Sequence, residues 1–539
     1  MKKRLEIKII YIIIVLLFIA FLFVPLLILF INSFKNGDKI GISNYVSVIN
    51  DRDILTSMIH SIVVSGISAF ITTIVAFILA YAVNCTKIFE STKSMIKIGI
   101  SVPMFLPTIT YGFAIIYSFG KQGLLTKLFG REIIRIYGIN GLLIGYIIYT
   151  LPIAFLLINN SFKYIDKKFI IVSKLMGDSV IRSFTNTIFR PLIGTLGGAF
   201  VLTFILSFTD FGIPASVGGN YSVISTHLYQ VMLGSIPNFN KGAVIAIFML
   251  IPAVLGVLFL SYLEKFNFHY DKSNKVELMK NSFRDICLGT ISISIVVGII
   301  SIFAIMFIAP FAENFPYDMS FTTKFFISTL FSESISQIYK NSFIIAIISA
   351  LSGTVLSYSA AILNVRTNIS KSAKVHIDIF SMITNAVPGM VLGLSYLLFL
   401  NKSDIKGTFT IIIICNIIHF FTSPYLMAKN SLSKMNPAWE PTAELLGDTW
   451  IKTVVRVVIP SSISTIIEMF SYYFINSMVT ISAIIFLVTA KTSVLTSKIK
   501  ELQHFGNFNE IFVLSILIFV TNIIMRFCCN YANKKLSIH

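Results

Sequence analysis

Charged residues are scarce in this 539-residue chain. Only 12% of its residues are Asp, Glu, Lys or Arg, whereas 55% are hydrophobic and the mean hydropathy is +0.84. Soluble globular domains carry about 25% charged residues, so this composition excludes that class. Apolar runs of about 20 residues recur from end to end, and each is long enough to cross a bilayer as a helix. We therefore predict an all-α, polytopic membrane protein.

Acidic residues are the scarcer charge: 24 Asp and Glu stand against 43 Lys and Arg, for a net charge of +19. In a soluble protein this excess would point to nucleic acid. In a membrane protein, Lys and Arg instead collect in the cytoplasmic loops. We expect the lipid bilayer as a partner, and no nucleic acid.

Metal-binding and nucleotide-binding motifs are missing. The five cysteines show no C-x-x-C spacing, so no metal site is predicted from them. A G-x-x-x-x-G-K-[ST] phosphate loop does not occur, since the single Gly-Lys pair, Gly120-Lys121, is followed by Gln122. No catalytic constellation accompanies the spans either. The chain is thus predicted to be no enzyme and to bind no cofactor, and any ATP hydrolysis would belong to a separate subunit.

The apolar runs predict twelve membrane spans. They are expected to begin near Ile10, Ser61, Ile98, Leu142, Leu192, Gly242, Ile286, Ser342, Ile379, Thr410, Ser461 and Ile511. The segment 163–190 carries six Lys and Arg residues, whereas the segment 212–240 has none. Although the basic segment 121–135 falls on the outer side, the balance of charge predicts that both termini are cytoplasmic.

The two halves of the chain are repeats. His60-Ser61 opens the second predicted span, and Asn341-Ser342 opens its counterpart 281 residues later. Pro107 and Gly112 match Pro388 and Gly393 at the same offset. Six spans in each half make the repeats parallel in the membrane. The sequence predicts a first half over residues 1–270 and a second over residues 271–539, joined by a charged linker.

One polar loop also occurs twice, at about 163–191 and about 431–460. The first copy reads Ile171-Val-Ser-Lys-Leu-Met-Gly177 and continues to Pro191, and the second reads Pro441-Thr-Ala-Glu-Leu-Leu-Gly447 and continues to Pro460. We predict two short helices joined at a glycine, with the next Asp capping the second helix and the Pro opening the following span. A single copy is compatible with an ordinary amphipathic connector. Two copies at matching places favour contact with a partner.

This loop resembles the "EAA" loop of bacterial ABC importer permeases, in which Glu-Ala-Ala, Gly and Pro are spaced in this way. Pro441-Thr442 stands where the family has Glu-Ala, and Ile171-Val172-Ser173 stands for Glu-Ala-Ala, with one extra residue before Pro191. In that family the loop docks on the ATP-hydrolysing subunit. The resemblance thus implies a docking role for Ser173, Gly177, Asp178, Pro191, Ala443, Gly447, Asp448 and Pro460.

The resemblance further implies a permease in the bacterial inner membrane. Its partners would be two copies of an ABC ATPase and an extracytoplasmic substrate-binding protein. Fused halves are typical of ferric-iron, thiamine and 2-aminoethylphosphonate importers, and the segment 207–214 looks most like the last type. A 2-aminoethylphosphonate-type substrate is therefore expected, with ferric iron or thiamine as the alternative. A major-facilitator-type secondary transporter is the rival, but the segment 84–93 lacks its Gly- and Arg-rich loop.

Polar residues near the ends of the fifth and eleventh spans are candidates for the substrate path. Asp210 lies beside a Gly/Pro break, and a carboxylate there is costly unless it is paired or wet. It either caps the turn or meets a cationic group of the substrate or binding protein. The predicted path residues are Thr203, Ser207, Asp210, Asn476, Ser477 and Thr480.

Overall fold

Helices make up nearly all of the described chain. The computed structural model describes residues 5–37, 39–166, 168–263 and 281–536. Among these, eight helices are long and apolar enough to cross a membrane, and four helix pairs bent at a short break raise the number to twelve. The prediction of an all-α polytopic membrane protein with about twelve spans is confirmed.

The first half contains twelve helices and one hairpin. They are α1 Leu5–Phe34, β1 Lys35–Asn36, β2 Lys39–Ile40, α2 Ser43–Ile49, α3 Arg52–Cys85, α4 Glu90–Phe105, α5 Thr108–Phe119, α6 Leu124–Phe129, α7 Ile139–Tyr164, α8 Lys168–Leu175, α9 Val180–Thr209, α10 Gly212–Val217, α11 Ile224–Leu233 and α12 Phe239–Leu263. The count refers to the described residues alone.

The described part of the second half contains a matching series. It comprises α13 Ser282–Phe311, β3 Ala312–Asn314, β4 Asp318–Phe321, α14 Lys324–Leu330, α15 Glu333–Arg366, α16 Lys371–Ala386, α17 Gly389–Phe399, α18 Phe409–His419, α19 Thr422–Leu432, α20 Trp439–Leu445, α21 Trp450–Ser461, α22 Ile463–Val479, α23 Leu495–Phe505 and α24 Phe508–Leu536. Both hairpins are antiparallel, with Lys35 opposite Ile40 and Ala312 opposite Phe321.

Two spans are broken at equivalent prolines. The helix that contains α5 meets α4 at an angle of 109° next to Pro107, and α17 meets α16 at 103° next to Pro388. Proline cannot donate to the preceding turn, and it drives the residue before it into an extended conformation, so the helix stops there. Each break leaves irregular backbone inside the bundle, which is tolerated at membrane depth only where protein or a water-filled cavity surrounds it.

The repeat is visible in hydrogen bonds as well as in sequence. Ser61 accepts from the N–H of Ile224 at 2.8 Å, and Ser342 accepts from the N–H of Leu495 at 2.8 Å. His60 Nδ1 contacts the Ser222 carbonyl at 3.0 Å, and the Asn341 amide donates to the Ser493 carbonyl at 3.1 Å. Equivalent residues in the third turn of α3 and α15 thus hold equivalent helices, α11 and α23.

The first span of each half packs against the other half. Helix α1 lies along α17 and also contacts α15 and α18, while α13 lies along α4 and also contacts α3 and α5. The two halves are therefore interlocked and do not form two bundles that meet only along a central path. Most of the predicted linker falls at 264–280, outside the described residues, so the boundary at 270 stays a prediction.

With each bent pair counted as one span, the two repeated loops come to the same side of the bundle. We call this side, which carries residues 162–166, 168–179 and 433–449, the loop face. The side that carries α10, α11 and α23 is called the opposite face.

Candidate functional site: two equivalent loops and a central cavity

Both repeated loops contain the same helix ending. In the first loop α8 ends before Gly177, whose φ is +79°, and the Asp178 N–H donates to the Ser173 carbonyl at 3.1 Å. In the second, α20 ends before Gly447, whose φ is +82°, and the Asp448 N–H donates to the Ala443 carbonyl at 2.9 Å. This is the left-handed glycine ending of a helix, in which a six-residue turn satisfies an otherwise free carbonyl. The predicted glycine hinge therefore has the same conformation in both copies.

The predicted capping role of Asp178 and Asp448 is wrong. The second short helix of each loop is capped by the next residue: Ser179 accepts from the Arg182 N–H and Thr449 from the Lys452 N–H, both at 3.4 Å. The aspartates follow directly after the left-handed glycine, one position too early to be caps. Asp178 instead pairs with Arg182, and Asp448 with Lys452, each four residues later in the first turn of the helix that follows. Ser173 adds a hydrogen bond to Asp178 at 2.7 Å.

Pro191 and Pro460 each lie in the first turn of an α-helical segment, which begins at Arg190 or Ile459. That segment continues an earlier helix through a π-helical turn over Thr185–Phe189 or Val454–Val458. A proline in a regular helix collides with the carbonyl four residues earlier and lacks the N–H for it. A π-turn displaces that carbonyl and makes room for the ring. In the first half α9 continues to Thr209, whereas in the second α21 ends at Ser461 and α22 is bent from it by 77°.

Large apolar side chains form the tip of each loop. Leu175 and Met176 are 82% and 77% exposed, and Leu445 and Leu446 are 89% and 79% exposed. Exposed apolar side chains do not stabilise the isolated chain. Apolar patches surrounded by polar residues mark sites of contact with other proteins. Each tip directly precedes the left-handed glycine, so the backbone fixes its direction.

A buried ion pair clamps the second loop to a span. Arg366, at the end of α15, donates to Glu440 on α20 at 2.7 and 2.5 Å, and also to the Asn436 carbonyl at 2.9 Å. The Arg366 side chain is 4% exposed and that of Glu440 12%. At the equivalent positions in the first half stand Cys85 and Ile170, which are unable to form such a pair. The two loops are thus alike in backbone but differ in how firmly they are attached.

A cavity of about 230 Å³ lies between the halves, where the broken spans meet. Its lining contains the break residues Leu106, Thr108 and 384–389 and the ends of α9 and α22. Among the described residues that line it there is one carboxylate, Asp210, and no Lys or Arg. Other polar side chains in the wall are Thr108, Thr209, Thr384, Asn385, His419, Asn476, Thr480 and Ser482, together with Tyr111, Tyr149 and Tyr472.

Asp210 caps the following helix and also lines the cavity. Its carboxylate accepts from the Ile213 N–H at 2.9 Å and so caps α10, and its carbonyl accepts from Ser225 at 2.7 Å. The residue is 7% exposed, and that exposure faces the cavity. One carboxylate therefore both ends the fifth span and supplies the negative charge of the cavity.

The six predicted path residues separate into two groups. Asp210, Asn476 and Thr480 line the cavity, whereas Thr203, Ser207 and Ser477 are buried in helix contacts away from it. Thr203 donates to the Ala199 carbonyl of its own helix at 2.8 Å, which satisfies its hydroxyl without a cavity. A Ser or Thr in a span is thus a poor marker of a path, since it bonds back to its own helix.

Sequence reasoning missed most of the cavity wall. Asn385 lies beside Pro388, and the break at that proline was the signal that could have located it. His419 lines the cavity at the break between α18 and α19, where its Nδ1 is buried without a hydrogen-bond partner. In the described parts of the chain no three His, Cys, Asp or Glu side chains group closely enough to hold a resident metal ion.

Known proteins resemble the chain over nearly all of its length. Residues 353–537 match the family of binding-protein-dependent transport system inner membrane components. A ferric transport system permease protein of Actinobacillus pleuropneumoniae is 27% identical over 95% of this chain and 76% of its own length. A related ferric transport permease of Haemophilus influenzae is 26% identical over 89% of this chain and 78% of its own length.

A spermidine/putrescine transport system permease of Escherichia coli is 24% identical over 44% of this chain and 88% of its own length. A half-length permease thus aligns with less than half of this chain, which agrees with a fused two-half architecture. Together with the two loops, these findings support one class: a multi-pass, inner-membrane permease subunit of a bacterial ABC importer, with the family's domain in the second half.

Proposed function

We propose that this chain is the membrane-spanning subunit of an importer that passes ferric iron, delivered by an extracytoplasmic binding protein, to the cytoplasm. The observation that supports ferric iron is the charge of the cavity. One carboxylate, Asp210, and a wall of phenol, amide and hydroxyl oxygens face the space, without Lys or Arg among the described lining residues. Hard cations take oxygen ligands, whereas a phosphonate is recognised by Arg, Lys or other strong donors.

The names of the full-length relatives support the same choice. Both are ferric transport permeases, and neither is named for a phosphonate. The ferric alternative is therefore better supported than the 2-aminoethylphosphonate substrate that the segment 207–214 suggested. Ferric iron here is cargo that crosses the cavity, and the lack of a closed ligand set fits a site that must release its ion.

The two loops would transmit the ATP-driven movement of the ATPase subunits to the membrane spans. An ABC ATPase subunit would seat the apolar tips Leu175-Met176 and Leu445-Leu446, one copy under each half. Closure of the two ATPase subunits would then move both loops and switch the cavity between the two faces, a two-state change biased by nucleotide. On this assignment the loop face is cytoplasmic, and so are both termini.

Uptake by cells tests the substrate. A strain that lacks this chain, complemented with it, should accumulate radiolabelled ferric iron under iron limitation, and it should gain no uptake of 2-aminoethylphosphonate or thiamine. Asp210→Asn should abolish most of the iron uptake while the protein still accumulates in the membrane. The matched control is Glu468→Gln, which removes the same charge from an exposed position on α22. Equal loss in both variants, or restored phosphonate uptake, would contradict the proposal.

A further inference from the structure

A lysine of the second half reaches the first half beyond the cavity. Lys500 on α23 places its Nζ 5.9 Å from the ring centroid of Phe211 and 5.7 Å from that of Tyr229. Its Nζ also donates to the Gln503 side chain at 2.8 Å, and the Gln503 amide donates to the Ala215 carbonyl of the first half at 2.7 Å. Two neighbouring side chains of α23 thus connect it to α10 and α11.

Lys500 and Tyr229 are equivalent residues of the two repeats. Helices α11 and α23 begin alike, because the N–H groups of Val223 and Val494 both donate to a hydroxyl three residues later. The same offset of 271 residues relates Tyr229 to Lys500. Residues that touch their own repeat equivalents lie at the axis relating the two halves. The Lys500–Tyr229 contact is therefore at this axis, on which a path between the halves must also run.

This contact lies at the rim of the cavity on the opposite face. Ser225, in the first turn of α11, binds the carbonyl of Asp210, and Thr496, in the first turn of α23, binds the carbonyl of Thr480 at 2.8 Å. Asp210 and Thr480 belong to the cavity wall. The two helices are thus fastened to the rim, and Lys500 lies between them against the rings of Phe211 and Tyr229, whose centroids are 4.9 Å apart.

No carboxylate neutralises this lysine among the described residues. Its nearest charged neighbours on α23, Lys498 and Glu501, pair with each other at 2.7 Å. Burial lowers the pKa of Lys500 to about 8, which leaves it mostly protonated at neutral pH. An ammonium held against aromatic faces keeps its positive charge and gains a cation–π contact.

We propose that Lys500 is the charged element of a gate on the opposite face, and that in the closed state its ammonium rejects cations from the cavity. The inference rests on the proposed function, because a charge barrier matters only where the cargo is a cation. Lys500 would therefore be a specificity-determining residue. The gate must open, and Lys500 must move away from Phe211 and Tyr229, before a cation reaches Asp210. Repulsion by a fixed like charge in a desolvated constriction acts on ions and spares neutral solutes.

Passive leak into proteoliposomes tests the charge barrier. The probe is Tb³⁺, detected by its luminescence with dipicolinate trapped inside vesicles that contain the full chain, and radiolabelled sulfate reports the leak of an anion. Lys500→Met should raise Tb³⁺ entry several-fold without raising sulfate entry, and Lys500→Arg should restore the barrier. Lys491→Met is the control, since it removes the same charge from an exposed position just before α23.

Unchanged Tb³⁺ entry would overturn the proposal, and so would equal rises for Tb³⁺ and sulfate, which would make Lys500 a steric latch. A double variant, Tyr229→Cys with Lys500→Cys in a cysteine-free background, tests the axis contact with a short bifunctional thiol reagent. Failure to cross-link would also overturn it. Neither assay needs the ATPase, so a chain that shows the charge-selective barrier but imports no iron would refute the proposed function and leave the gate in place.

Discussion

Removal of Arg366 should detach the second loop from α15. The guanidinium makes two hydrogen bonds to Glu440 and two to the carbonyls of Met435 and Asn436, and it lies over the ring of Trp439. Breaking a buried ion pair by removing one partner costs about 3–5 kcal/mol, because the remaining charge is left unpaired. The loop is at the surface and can open to water, so we expect the lower end, about 3 kcal/mol.

A change of this size corresponds to about a 100-fold increase in the local opening of α20. Amide hydrogen exchange of the full chain in nanodiscs measures it: in Arg366→Met, protection of residues 439–445 should fall by about that factor. The first loop should keep its exchange rates, because Cys85 occupies the equivalent position there. The control is Lys434→Met, which removes a positive charge from an exposed position near the same loop.

The double variant Arg366→Met with Glu440→Met separates the ion pair from general packing. It should be more protected than the single Arg366→Met variant, because no charge is left without a partner. Unchanged protection of α20 in Arg366→Met, or equal loss in Lys434→Met, would refute the clamp.

Three further predictions follow from the loops and the gate. Gly447→Ala should lower the free energy of unfolding by only about 1 kcal/mol, because φ is +82° but no atom lies within 4 Å of the added Cβ. Gly447→Pro should abolish co-purification with the ATPase subunit, because the proline φ near −65° is incompatible with the turn. A Cys at Ser179, an exposed cap of the loop face, should react with an impermeant thiol reagent only from the cytoplasmic side. Lys500 should react with an amine-directed succinimidyl ester with a midpoint near pH 8, far below that of an ordinary lysine, because burial favours the neutral amine.

Controls keep these tests open to contradiction. Equal ATPase binding by Gly447→Ala and Gly447→Pro would contradict the claim that the turn at Gly447 requires positive φ. Labelling of Ser179→Cys from outside would show that the loop face is not cytoplasmic. Lys491, which is exposed, serves as the reference lysine for the pH titration.

The unfolded chain keeps the Lys500 proton up to the ordinary lysine pKa of 10.5, so the free energy of unfolding should rise between about pH 8 and that value. Tyr229 is the titratable side chain in contact with the ammonium, and its own pKa is raised by burial.

The spans and the repeat could be predicted because bilayer thickness and backbone satisfaction leave few choices for an apolar run. The loops could be recognised because Gly177 and Gly447 must both adopt positive φ, which constrains the sequence strongly. The cap of the second short helix could not be predicted, because the choice between Asp178 and Ser179 depends on where the left-handed turn ends. The two candidate positions are adjacent in the sequence.

The residues that line the cavity could not be predicted from local sequence patterns. Thr203 and Asn476 are both polar and near span ends, yet Thr203 bonds to its own helix and Asn476 faces the cavity. Which face of a span is wet depends on the neighbouring spans, and the π-turn at Thr185–Phe189 alters the helical phase ahead of α9's apolar stretch. Arg366 and Glu440 are 74 residues apart, so their pairing needed the fold.

ATP-driven import of ferric iron tests the central claim most directly. The chain would be reconstituted into proteoliposomes with an ABC ATPase and a ferric-iron-binding protein, with ATP inside or outside and radiolabelled ferric iron on the other side. The account predicts that iron enters only where ATP reaches the loop face, that Asp210→Asn abolishes entry, and that Glu468→Gln does not. Iron entry without ATP, or ATP-driven entry of 2-aminoethylphosphonate in place of iron, would contradict it.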